Sequence, residues 1–526
     1  MSITGSMYTG IAGMQTASQG MSVVSNNLSN VNTVGYKGSK VTFEDTFYTA
    51  VNSSAGVAQV GTGVTVSNIY GDFSQGSYED STSATDLAIG GNGYFQLVNP
   101  ENGNTYYTRS GAFGFDNEGY LVNALGYRVQ GWQTETEDDG SVNAVGSITD
   151  IRISSYQSPP AATTFLSMGL NLDSDGDDNC TSTSGNIYFA MLESWDGTQD
   201  PPLGDSLYEY QATMTVYDEN GSSHNVTVYF DQVETNDGDN VWEYIVTTDP
   251  SDDNRIIDGQ NVGDTSAAGL LMAGTMTFNT SGELAAITGY TLKSTASGDL
   301  MDLSNWTLAD VNEDGEPVFT ANFTGADGAD GTDQSNASSI AVNFGLSAGD
   351  VSAGGWDTTA TAASNAGMIG SNASAIGNLS SSELGSTYTT SYDNSSSTLS
   401  ASQDGYASGF LQDISVDTDG VIQATYSNGQ IEDLFVLVLA DFANEDGLER
   451  QGASLFSQTR DSGEALTGTA NSGSLGTISA NSLEQSNVDM ATELVRMITY
   501  QRAYDASSKI ISTADTMMST IIATKR

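Results

Sequence analysis

SNNLSNVNTVGYKGSK, residues 25–40, sets four asparagines within seven positions and then breaks into Gly35-Tyr36-Lys37. Short amides compete with the backbone for hydrogen bonds, so such a run ends a helix and opens a turn. A connecting segment is expected after it. What precedes the run is just as marked. Residues 1–40 contain no carboxylate, although the 526-residue chain holds 66 acids against 14 bases, a net charge of −52. Residues 481–526 are balanced, with five acids and five bases, so the remainder carries 61 acids and only 7 bases. Self-repulsion at that density keeps the middle hydrated and argues against nucleic acid as a partner. The near-neutral ends are suited to packing against something.

Both ends read as helices. Met7, Ile11, Met14, Met21 and Leu28 follow a 4-3 spacing, with Ser18 and Ser25 in the gaps. Met490, Leu494, Met497, Tyr504, Ile511, Met518 and Ile522 repeat it, with Gln501, Ser508 and Asp515 in the gaps. This is an imperfect heptad seam, and two such helices are expected to pair with each other and with copies of themselves. Isolated helices of this kind are marginal in water, so packing would order them.

Between the ends the period changes to two. In TMTVYDENGSSHNVTVYF (213–230), Met214 and Val216 alternate with polar residues, Asn220-Gly221 turns the chain, and Val226, Val228 and Phe230 alternate back. That is a strong hairpin pattern. Residues 410–440 repeat it, with turns at Asp419-Gly420 and Asn428-Gly429 leading into LFVLVLA. Further turns are expected at Asn92-Gly93, Glu118-Gly119 and Ser281-Gly282. A Gly/Ala/Ser/Asn-rich stretch over 323–403 reads as a loop system or loosely packed surface. The expected fold is multi-domain: mainly β, with long α-helices at both termini forming a coiled-coil-like pair.

Catalytic and metal chemistry are hard to assemble. The single histidine, His224, is expected as an exposed group beside a hairpin turn, and Cys180 is the only cysteine. A Cys-His pair, histidine-based zinc ligation and an intramolecular disulfide are therefore out of reach. Asp173–Asp177 and Asp310–Gly315 resemble the start of a calcium loop, but the twelfth positions are Ser184 and Ala321 rather than glutamate. No cofactor, metal site or enzymatic activity is expected. No basic region followed by an apolar one opens the chain, so no cleaved secretory signal is expected. The longest strongly apolar run, Leu434–Ala440, is too short to span a membrane.

The opening stretch resembles the N-terminal motif of the rod-and-hook family of flagellar axial proteins, at Asn26, Asn27, Leu28, Asn30, Asn32, Thr33, Gly35, Tyr36 and Lys37. The C-terminus is similar to the closing helix of the same family, at Glu484, Ser486, Asn487, Val488, Asp489, Gln501, Arg502, Tyr504, Ala506 and Asp515. Internal segments, among them TDLAIGGNGYFQL (85–97) and GLERQGASLFSQTRDSGEAL (447–466), are closer to the hook-forming members than to the rod-forming ones. Similarity is weak over about 290–400.

The resemblance implies a helical homopolymer: a hollow tube acting as a flexible joint that passes torque from rod to filament. It implies a rod protein at the proximal end, cap and junction proteins at the distal end, and export through the flagellar type III apparatus to the cell exterior. Nested domains are expected. These would be a tube-forming domain of 1–35 and 481–526, a connecting segment 36–74, a β-rich domain of 75–160 with 376–480, and one or two inserted outer domains in 161–375. The alternatives are a distal rod protein or, from a different class, an acidic secreted adhesin or surface-layer protein.

Overall fold

The computed structural model describes residues 3–53, 56–136, 142–153, 156–235, 239–325, 337–352, 354–357 and 363–524. It comprises two compact units. Met1–Gln157 and Phe410–Arg526 form a terminal unit, and Ser158–Gly409 form an inserted one.

The terminal unit begins and ends in helix, Ile3–Ser29 and Met490–Thr524. Between the first helix and the β-structure, Ser39–Asp45 pairs antiparallel with Val64–Gly71, and Tyr48–Ser53 pairs with Gly56–Gly61. Outgoing and returning chain are then zipped together. Tyr78–Asp80 pairs with Ser482–Glu484, and Leu87–Gly90 pairs with Thr477–Ala480. The LFVLVLA run supplies two consecutive strands. Ile431–Leu437 pairs with Arg128–Thr136, and Leu439–Asp441 pairs with Tyr94–Val98. Their inward residues meet Leu87, Ile89, Phe95, Val129, Ile151 and Ile478 in one apolar core.

The inserted unit is built on an antiparallel sheet whose central strand is Asn240–Thr248. The 213–230 hairpin, strands Tyr210–Tyr217 and Ser223–Val233, lies on one side of it and Leu270–Phe278 on the other. Every residue of the central strand after Asn240 is buried, as expected of a strand covered on both faces. One face packs on Leu166, Met168, Leu170 and Leu172 of the strand Phe165–Asp173. The other packs on Tyr188, Phe189, Met191 and Leu192.

Three expectations are corrected here. The expected return of the chain at 376 falls inside the inserted unit, because Thr390–Tyr392 and Ser397–Gln403 both pair with Phe165–Asp173. The 323–403 stretch is not a loose surface where it is described. Ile340, Val342, Phe344, Leu346, Trp356 and Leu379 are core residues, spaced widely among small ones. Residues 326–336, 353 and 358–362 of that stretch lie outside the described residues. His224 is not exposed. Its side chain is 13% accessible, sits 2.9 Å from Asp252 and 3.5 Å from Asp218, and stacks on Phe323 at 4.4 Å.

Candidate assembly site: the terminal helix pair and its junction

The two terminal helices touch along a stripe of small residues. Gly10, Ala17, Gly20, Val24 and Asn27 are buried on the first helix. A Cβ on Gly10 would stand 3.0 Å from Ile511 Cγ1, one on Gly13 would stand 2.6 Å from Ser507 Oγ, and one on Gly20 would stand 3.0 Å from the Tyr500 ring. Each helical glycine costs about 1 kcal/mol relative to alanine, and here the missing side chain lets the two backbones approach.

The apolar stripe read from the sequence lies beside this one. Met7, Met14, Met21 and Leu28 are half-buried and Ile11 is exposed. On the second helix Met497, Ile511 and Met518 are half-buried, while Met490, Leu494, Tyr504 and Ile522 are 41% to 63% exposed. Within one chain the pair is therefore closed by glycines and alanine, and much of the apolar stripe is left uncovered.

Below the pair lies a polar junction. The first helix ends at Ser29, inside the asparagine run. Asn27, 2% accessible, behaves like a strand partner: its amide donates to Ser39 O at 2.8 Å and its oxygen accepts from Ser39 N at 2.9 Å. Asn26 donates to Tyr36 Oη at 3.1 Å, and Asn30 donates to Asn26 O at 2.9 Å. Gly35 has φ +65°, and a Cβ there would meet Ser110 N at 2.5 Å, so the turn requires glycine.

Lys37 then enters the interior. Its Nζ donates to Glu484 Oε1 at 2.7 Å and to Ser74 O at 2.9 Å, with both charged side chains at most 1% accessible. Burial holds the Lys37 ammonium below the ordinary lysine value, with Glu484 opposing that shift. Gly76 N also donates to Glu484 Oε1, at 2.8 Å, and Arg109 Nη1 lies 3.6 Å from Glu484 Oε2. Asn487 joins the same knot by accepting from Gly38 N at 2.9 Å and donating to Asp72 O at 2.7 Å. Asp489 caps the second helix, accepting from Ala491 N at 2.8 Å and from Thr492 Oγ1 at 2.9 Å. Those bonds hold its carboxyl below the ordinary aspartate value.

Not every motif residue converges here. Asn32, Gln501 and Arg502 are exposed, as is Tyr504. Conversely, Arg109 and Arg450 were not singled out as site residues in the sequence, although Arg450 lies in the family-like segment 447–466. Arg450 donates to Lys37 O at 2.7 Å and to Gly38 O at 3.3 Å, and with Asn26, Asn30 and Tyr36 it lines a pocket of about 280 Å³. Their scarcity was the available signal, since they are two of only seven bases outside the ends. The arrangement ties five separate chain segments into a rigid base for the helix pair. Among the described residues no group of three or more His, Cys, Asp or Glu could hold a metal, and no helix is long and apolar enough to cross a membrane.

The helix pair and junction coincide with two family models: the flagella basal body rod protein model over residues 7–37 and the flagellar basal body rod FlgEFG protein C-terminal model over 479–524. Between them, the flagellar hook protein FlgE/F/G D1 domain matches 88–176 and the flagellar basal body protein FlaE D2 domain matches 179–406. The flagellar hook protein FlgE of Treponema pallidum is 30% identical over 99% of both chains. The chain belongs to the flagellar hook protein family. The FlgE of Escherichia coli is 28% identical, covering 97% of this chain and 98% of its own. A solved flagellar hook protein, FlgE2 of Helicobacter pylori, aligns at 12% identity over 76% of this chain and 98% of that one, with a TM-score of 0.42. The D2 match, within the inserted unit, spans the whole region where the motif resemblance is weak. The match to hook proteins runs the full length of the chain, as a rod-protein assignment would not require.

Proposed function

We infer that this chain is a structural subunit of the bacterial flagellar hook, polymerising into a helical hollow tube that serves as a flexible joint between rod and filament. The observation that carries the reading is the pairing of a glycine-closed helix seam with an uncovered apolar stripe, in a chain similar to hook proteins from end to end. Met7, Ile11, Met14, Met21 and Leu28, with Met490, Leu494, Met497, Tyr504, Ile511, Met518 and Ile522, form the surface offered to neighbouring copies. A contact between different patches on successive copies, with a rotation that does not close, generates an open filament. Near-neutral ends suit such a packed interface, since few unpaired charges are tolerated there. The acidic β-rich remainder faces water.

The partners are copies of the chain, the rod at the proximal end, the cap and junction proteins at the distal end, and the type III export apparatus. The finished tube lies outside the cell. The nested arrangement of a tube-forming terminal domain carrying inserted outer β-domains belongs to the same reading.

Electron microscopy of the concentrated intact chain, beside a version lacking residues 1–40 and 481–526, tests it. Short hollow tubes from the intact chain and monomers from the trimmed one are expected. A second variant, Leu494→Asp, keeps the helix pair and is expected to abolish tubes. Polymerisation of the trimmed form would overturn the reading.

A further inference from the structure

The inserted unit holds 36 acids and only two bases, Arg255 and Lys293. Two of the acids are inside. Asp231 is 2% accessible and Glu243 is 1% accessible. They are direct partners across adjacent antiparallel strands, Asp231 on Ser223–Val233 and Glu243 on Asn240–Thr248. Residues directly opposite in such a ladder project to the same face. That face is the apolar one packed with Val233, Val241, Ile245 and Tyr290.

Both carboxyls hold the same excursion of chain. Asp231 Oδ2 accepts from Cys180 N at 2.8 Å, and its Oδ1 accepts from the Asn179 amide at 3.2 Å. Glu243 accepts from Met191 N at 2.9 Å and Leu192 N at 3.1 Å. Between these anchors lie Tyr188 and Phe189, both buried, so residues 179–192 form the lid on this side of the core.

Among the described residues no cation serves the pair. Arg255 is engaged with Asp253 at 2.7 Å, and Lys293 donates to Ser304 O at 3.4 Å. The titratable groups on the surrounding elements are Asp178 and Cys180 on the lid's leading edge, Glu209, which accepts from Asn179 at 3.1 Å, Glu193, and the core tyrosines 188, 229 and 290. Each is neutral or adds negative charge. Two carboxylates on facing positions in an apolar core cannot both ionise cheaply, because desolvation and like charge act in the same direction.

We propose that Asp231 and Glu243 act together as a pair of protonated carboxyls that clamps residues 179–192 onto the inserted unit, and that the clamp loosens as the pH rises from acid to neutral. Burial pushes the Asp231 carboxyl up to about 7 and that of Glu243 well above its ordinary value. With the lid lifted and both carboxyls in water, they release their protons near the ordinary value of pH ~4. The closed form thus binds more protons in the interval between. Stability of the lid is fully present below about pH 4 and is lost as pH rises through 7, with Glu243 extending the loss upward. The direction is opposite to that of an ordinary ion-paired carboxylate.

Hydrogen–deuterium exchange of the full-length monomeric chain, read by mass spectrometry and corrected for intrinsic exchange, tests this. The opening ratio of amides in 179–192 is expected to rise at least about tenfold per pH unit between pH ~5 and ~7, a proton being released on opening from each carboxyl that is protonated in the closed form. The rise should persist at high salt, which screens surface acids but not a buried pair. Glu243→Gln and Asp231→Asn should each flatten it, while peptides from the terminal unit show no such slope. A flat wild-type profile overturns the proposal without any variant. So does a slope that salt abolishes, or one that both variants retain.

Discussion

The inserted unit buries Trp242, Trp306, Tyr244 and Tyr290 at 0% accessibility, whereas the 35-residue C-terminal helix buries only Glu493 and Ala514. Both regions carry apolar residues at regular spacing. In the first, both faces of the central sheet find their cover within the same unit. In the second, glycines draw two helices close while leaving Met490, Leu494 and Ile522 in water. A region that finishes its own core can stand alone, but a helix pair with an open apolar stripe is complete only among neighbours. The junction lies between these regimes: small, with a buried Lys37–Glu484 pair at its centre and a hydrogen-bonded polar rim.

The comparison can be broken at that junction first. Lys37→Met leaves the buried Glu484 carboxylate with Arg109, 3.6 Å away, as its remaining cation, and should cost about 3 kcal/mol, the lower end of the usual loss when one member of a buried ion pair is removed. Urea unfolding followed by peptide-resolved exchange should show early opening of residues 34–38 and 74–76, with the midpoint of the inserted unit unmoved. A common shift of both units would mean that they do not close independently.

Ile245→Ala attacks the other side. It empties a fully buried position in the inserted core and should cost about 2–4 kcal/mol. Thermal unfolding of that unit should drop while tube formation by the intact chain at 25 °C persists. Loss of tubes would tie assembly to the inserted core.

Gly20→Ala is expected to cost about 1–3 kcal/mol by overpacking, because its new methyl would meet the Tyr500 ring. The readout is helical circular dichroism together with the critical concentration for tubes. A neutral result would show that the helices can part without penalty. Gly5→Ala is the control on the same helix. A methyl at that position would have no atom within 4 Å, so helix propensity alone should stabilise it by up to about 1 kcal/mol.

Much of this was legible in the residues. Asn-Gly and Asp-Gly turns between alternating apolar runs marked the hairpins at 213–230 and 410–440, since those turns demand residues that accept left-handed backbone. The asparagine run marked the end of the first helix. The register of the helix pair was not legible. Periodicity weighs large apolar side chains, and the stripe that closes the pair is Gly10, Gly13, Ala17 and Gly20, which carry almost no hydrophobic weight. The return of the chain at Gly409 was hidden for a related reason: Ser397–Gln403 looks like a polar loop and becomes a strand only because Phe165–Asp173 offers it a ladder.

By itself, then, the sequence determined which segments are helix and which are hairpin, where charge is excluded, and which family the chain resembles, because turn chemistry, charge and motif spacing are local. Only the tertiary structure decided which helix face is used within the chain, that Lys37 meets Glu484, and that Asp231 faces Glu243. Each of those pairs residues distant along the chain or set by strand register, and their energies depend on burial that no single segment carries.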